Sequence, residues 1–251
     1  MAVAVLCCTF PASAANQAAL IVRGEKIYSR ACAACHGISG DSKGPAAKAF
    51  SPAPRDFTKA SFRLRSTPSG KAPTDEDLDR TLRGGVPGTS MPAWGNILSP
   101  ADRAAVIAYL KSFSPQFSDE SKKAPPMESV TAPRRPFPAS PDSIAKGKAV
   151  WEKIRCAECH GEQGRGDGNG IQVLTDDQDN PLTPHDFARG VYKSGRTDAD
   201  LYRSVTTGLD GTEMMAYDKL LTDEERWQVV DYVMSMASER DIWWRLFKER
   251  P

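Results

Sequence analysis

The sequence predicts an all-α protein of two tandem helical domains joined by a proline-rich connector. Three observations carry that expectation. The pentapeptide Cys32-Ala33-Ala34-Cys35-His36 returns as Cys156-Ala157-Glu158-Cys159-His160, 124 positions later. The segments around each copy repeat with it, so a domain-length unit has been written twice. Helix-start signatures recur, and the alternation of strands and helices that marks an α/β domain is missing.

In chain order, residues 1–14 read as an export signal: an apolar run over residues 2–8, then Pro11-Ala12-Ser13-Ala14, which allows cleavage after Ala14. The run is short and no Lys or Arg precedes it; a lipid-anchored Cys7 is the rival, which Leu6 suits poorly. Residues 15–117 form the first domain, opening with a helix over residues 20–31. Residues 50–73 carry Pro, Ser and Arg without periodicity. Thr74 caps a helix that stops by Gly84-Gly85, and Ser99-Pro100 starts a last helix running to about Phe113, with Ala104, Ile107, Ala108 and Leu110 as its apolar stripe. Residues 118–141 hold six prolines and read as an extended linker that keeps two domains apart. The second domain, residues 142–240, repeats the first. Pro54-Arg55-Asp56-Phe57 becomes Pro184-His185-Asp186-Phe187, Gly88-Thr89-Ser90-Met91 becomes Gly211-Thr212-Glu213-Met214, and Tyr109 falls on Tyr232. A tail, residues 241–251, follows.

C-x-x-C-H is the signature of covalent haem attachment. Positions i, i+3 and i+4 share one helical face, so both thiols and the imidazole address one flat ligand. Cys32, Cys35, Cys156 and Cys159 would form thioethers to two haems c, with His36 and His160 as proximal ligands. Met91 lies 55 residues after His36 and Met214 54 after His160, each in a Gly-Thr-x-Met segment placed to supply a sixth ligand. Met215 competes with Met214, but the repeat sets Met215 where Pro92 stands. Zinc would want four close Cys or His ligands, and each domain offers three.

With these motifs the chain resembles the soluble diheme cytochromes c, two class I cytochrome c domains in tandem, over nearly all of residues 20–238. The resemblance implies that the first and last helices of each domain cross at Gly24 and Tyr28 against Tyr109, and at Gly147 and Trp151 against Tyr232. It also implies that the carbonyl of Pro45 orients His36; the second domain has Ile171 there.

Two haems with filled sixth positions imply outer-sphere electron transfer between redox proteins, donor and acceptor, with no nucleic acid involved and a periplasmic location. The alternatives are a peroxidase-like diheme enzyme with one open iron, for which His185 is the one unusual ligand candidate, and a fixed subunit of a respiratory complex. His185 otherwise sits, like Arg55, near a haem edge. Residues 15–117 carry 14 basic and 8 acidic side chains, and residues 142–251 carry 15 and 21, so opposite fields could steer the two ends toward different partners. Arg55, Arg63, Arg65, Lys193 and Arg196 are candidates for haem propionates or docking. No stretch approaches the roughly 20 apolar residues of a membrane span; the aromatic and basic tail could reach a membrane or a complex.

Overall fold

The computed structural model describes residues 12–59, 61–123, 129–170 and 174–237. The export segment (apart from residues 12–14), Met127, Ile171 and the tail therefore lie outside the described residues. Helices α1 (Ala12–Ala31), α2 (Ala33–His36), α3 (Asp75–Gly84) and α4 (Pro100–Lys111) build the first half; α5 (Pro141–Lys153), α6 (Ala157–His160), α7 (Asp198–Thr207) and α8 (Asp223–Ser235) build the second. Among the described residues the strands form one antiparallel pair, β1 (Leu174–Thr175) and β2 (Pro181–Leu182), with Leu174 opposite Leu182.

In each half the first helix crosses the last at a glycine. A Cβ on Gly24 would stand 2.0 Å from the Ala105 carbonyl oxygen, and one on Gly147 would stand 1.9 Å from that of Gln228. Any other residue would force the helices apart. Aromatic rings lock the crossings edge to face: Tyr28 and Tyr109 at 5.3 Å, Trp151 and Tyr232 at 5.7 Å. The contacts implied by the resemblance are therefore present in both halves.

This crossing also corrects the apolar stripe of α4. The buried face is Arg103, Ala105, Val106, Ile107 and Leu110, and Ala104 is exposed. Close approach at Gly24 presses Ala105 inward, and one residue is about 100° of helix rotation. Helix α1 begins at Ala12 rather than near residue 20, and side chains 15–19 are exposed.

The capping signals are met. Thr74 and Asp77 exchange side-chain and backbone bonds in a capping box, as do Thr197 with Asp200 and Thr222 with Glu225. Asp77 is fully buried and also takes the Ser66 N–H at 2.9 Å, tying the aperiodic segment 50–73 to α3. That segment is interior wall: Phe57, Phe62, Arg65, Thr67 and Ala72 are all buried.

The linker does not hold the domains apart. The Val130 N–H bonds the Ser66 carbonyl at 2.6 Å, while Val130, Ala132 and Phe137 pack on the second core. Arg135 pairs with Asp198 and with the buried Asp231, and its guanidinium lies 5.4 Å from the Trp227 ring centroid. The halves also touch directly. Arg55 meets Asp177 at 3.2 Å, Arg63 meets Asp176 at 2.7 Å, and Arg65 meets Asp210 at 2.7 Å. Arg65 is wholly buried and bonds the Thr207 carbonyl at 2.8 Å as well. Proline stiffness limits the connector's own conformations but does not stop its apolar and cationic side chains from finding a face to cover. Part of the opposite charge of the two halves is thus spent on holding them together. Lys193 and Arg196 line a cavity of about 400 Å³ between them, with Arg65, Arg80, Arg83 and Arg203.

Candidate functional site

Each pentapeptide forms one tight helical turn. The His36 N–H bonds the Cys32 carbonyl at 2.9 Å, and the His160 N–H bonds that of Cys156 at 2.9 Å. A left-handed glycine then turns the chain away: Gly37 has φ 81° and Gly161 has φ 76°. The positive φ favours glycine at both places, and a Cβ there would also displace the Asp41 or Asp167 carboxylate, at 2.2 Å and 2.0 Å.

All four cysteines are free and half-buried. Burial, with Cys35 nearby, pushes the Cys32 thiol up to about 11, and burial pushes Cys156 up to about 12. At neutral pH these two sulfurs are therefore thiols and not thiolates, the poorer state for a nucleophile. Among the described residues no group of three or more His, Cys, Asp and Glu side chains converges to hold an ion. The cavity between the domains lies away from both pentapeptides.

The histidines are held differently. His36 Nδ1 lies 3.0 Å from the Arg55 carbonyl oxygen. A carbonyl only accepts, so Nδ1 carries the proton and Nε2 keeps its lone pair for a metal. The His36 ring stacks on Phe57 at 4.6 Å. Burial pushes its pKa down, with the Arg55 carbonyl acting the other way. The orienting carbonyl is therefore that of Arg55 and not of Pro45, which is exposed. The reason is local: the Asp56 carboxylate takes the Thr58 N–H at 2.8 Å, and this turn aims the preceding carbonyl inward.

His160 lies 4.7 Å from Phe187 and 5.8 Å from Trp151, ring to ring. Burial pushes its pKa down to about 4, opposed by the backbone of His185, the counterpart of Arg55. Yet Nδ1 of His160 is buried without a partner in hydrogen-bond geometry. The His185 backbone is close enough to favour the protonated ring, but it does not align with Nδ1 as the Arg55 carbonyl aligns with His36. The His185 ring turns elsewhere, donating from Nε2 to the Val191 carbonyl at 2.6 Å.

The methionine loops are matched. Val86 N–H bonds the Met91 carbonyl at 3.1 Å, and Leu209 N–H bonds that of Met214 at 2.9 Å. Thr89 and Thr212 hydroxyls each accept from the methionine N–H at 3.2 Å. Met91 and Met214 are half-buried, whereas Met215 is 55% exposed. Two half-buried thiols, a neutral imidazole and an aromatic wall on each pentapeptide suit a flat, covalently held haem. The Arg55 carbonyl and the phenylalanine walls were missed in the sequence. Their signal was the repeated Pro-x-Asp-Phe.

Residues 21–114 match the family described as Cytochrome c, and residues 142–233 match Cytochrome C oxidase, cbb3-type, subunit III. A cbb3-type cytochrome c oxidase subunit CcoP of Azospirillum sp. (strain B510) is 32% identical over 106 residues, covering 38% of this chain and 31% of that relative. The chain thus matches under a third of that protein's length. A chain of the Kuenenia stuttgartiensis reducing HAO-like protein complex Kustc0457/Kustc0458 is similar in structure, with a TM-score of 0.81 and 40% identity over 86% of this chain and 96% of that one.

Proposed function

Since the chain belongs to the diheme cytochromes c, with two cytochrome c domains in tandem, we propose that it is an exported carrier of single electrons with two His/Met-ligated haems. Cys32 and Cys35 would bind the first haem and Cys156 and Cys159 the second. His36 with Met91, and His160 with Met214, would complete the two axial pairs. The observation that carries this reading is the twofold occurrence of one local construction: a half-buried thiol pair, a half-buried imidazole and a half-buried methionine in a Thr-braced loop.

A haem c bound there supplies the one-electron Fe(II)/Fe(III) couple. The protein's part is to keep that couple fast and contained. Aromatic rings cover one face of each imidazole, and Nδ1 donation to the Arg55 carbonyl fixes the His36 ring plane. A thioether from Met91 or Met214 on the iron would raise its potential and occupy the place a substrate would need. Export fits covalent haem in a chain where no described helix is long and apolar enough to cross a membrane. The named relatives, an oxidase subunit and a member of a HAO-like complex, favour a second reading in which the carrier works as a bound subunit.

The test is a haem count with reduced spectra before and after CO, on protein matured by a cytochrome c assembly system. Two haems indifferent to CO are expected. One haem that binds CO readily would replace the carrier by an enzyme. Native-mass analysis of the protein from its own cells separates the free carrier from the subunit.

A further inference from the structure

The surface between the domains runs from the back of one haem motif to the methionine loop of the other. Arg55 stands at its centre with two separate engagements. Its carbonyl oxygen accepts from His36 Nδ1 at 3.0 Å, and its guanidinium bonds Asp177 of the second half at 3.2 Å. Asp177 is anchored in turn: its N–H bonds the Gly211 carbonyl at 3.1 Å, in the Gly-Thr-x-Met segment that ends at Met214. The neighbouring pairs do not touch His36. Arg63 takes Asp176, and Arg65 takes Asp210.

The second half offers a natural comparison. There His185 replaces Arg55, its ring is spent on Val191 of its own domain, and His160 Nδ1 has no aligned partner. The imidazole whose orienting residue is gripped from across the interface is the one with a well-formed hydrogen bond. The one whose counterpart residue is held within its own domain lacks it.

We propose that Asp177 is a positioning residue for the first haem: by holding the Arg55 guanidinium from the second domain, it fixes the Arg55 carbonyl on His36 Nδ1 and sets the first reduction potential. This rests on the diheme reading above. Two effects of losing Asp177 share a sign. A guanidinium without its counter-charge disfavours the ferric state of a nearby iron. A loosened Nδ1–H bond makes the imidazole a poorer donor to iron, which also disfavours it. The first potential should rise.

The experiment is a redox titration of the full diheme protein as Asp177→Asn, Asp177→Glu and Asp210→Asn, with variants lacking Met91 or Met214 assigning the two couples. Nitrogen-15 histidine NMR of the reduced protein reports Nδ1–H of His36 and His160 separately. Asp177→Asn should shift the first couple toward reduction by about tenfold in its equilibrium constant, about 59 mV for one electron, and move the His36 signal alone. Asp177→Glu should restore both. Asp210→Asn loosens the same interface through Arg65 and should leave the first couple in place. An unchanged first couple in Asp177→Asn, or an equal shift in Asp210→Asn, overturns the proposal. An unmutated chain that purifies without two haems overturns the diheme reading and the proposal together; two haems in every variant confine a failure to Asp177.

Discussion

At the residue scale the axial methionines make the sharpest prediction. Replacing Met91 or Met214 by alanine should open one sixth position, so that one haem binds CO and its potential falls, while Met215→Ala leaves both spectra unchanged. CO difference spectra on the three variants check this. Met214 and Met215 adjoin in sequence, and what separates them is the Thr212 hydroxyl on the Met214 N–H and the outward turn of Met215. The glycines at the helix crossings are as exacting. Gly24→Ala places a methyl 2.0 Å from the Ala105 carbonyl, on backbone that cannot swing aside. Overpacking costs typically 1–3 kcal/mol, and a lowered denaturant midpoint with an unchanged slope is the expected readout.

Among the elements, the capped helices were legible and the walls between them were not. Thr74 with Asp77 announces a helix start because the cap needs only residues three apart. The Thr74→Ala variant should cost about 1 kcal/mol, measured by thermal unfolding. Segment 50–73 offered no periodicity because its order comes from outside itself: Ser66 on the buried Asp77, Phe57 on the His36 ring. The His36 partner was misread for the same reason. Pro45 stands close in sequence to the motif, but the carbonyl that arrives comes from Arg55, 19 residues away, aimed by a turn at Asp56. On α4 Ile107 and Leu110 are buried as the periodicity predicts, while Ala105 takes the inward place expected of Ala104, since periodicity fixes spacing and the Gly24 contact fixes rotation. In the connector, six prolines suggested a stiff spacer, and no local pattern marks Arg135 for two carboxylates from α7 and α8.

For the whole molecule, charge is the organising quantity. The opposite nets of the two halves, read in sequence as outward fields, partly face one another through Arg55, Arg63 and Arg65. Arg65→Met removes a wholly buried cation and leaves Asp210 with less than its full complement; breaking such a pair costs about 3–5 kcal/mol. Small-angle scattering should then show a more extended particle. Acid should act similarly. Burial raises the Asp176 pKa, but the Asn180 and Gln178 N–H groups and Arg63 outweigh it and hold the carboxyl below its usual range. A depressed carboxylate stabilises the docked form above its unfolded pKa and loses that contribution as pH falls through the folded value. Scattering should therefore report compact particles at neutral pH and domain separation only well into acid, with salt moving the midpoint upward.

The strap formed by Arg135 also makes the two halves unequal. In the second half it covers Trp227 and pairs with Asp198 and Asp231. The repeat sets Ala104 opposite Trp227 and Ala108 opposite Asp231, and Ala104 is exposed. The two halves therefore differ in what they offer Arg135: an indole and a buried carboxylate in the second, alanines in the first. A fragment beginning at Asp142 would have an indole covered by Tyr202 alone on one face and an unneutralised buried carboxylate, whereas one beginning at Val130 would carry its own cover. The two halves share a fold but could not trade places.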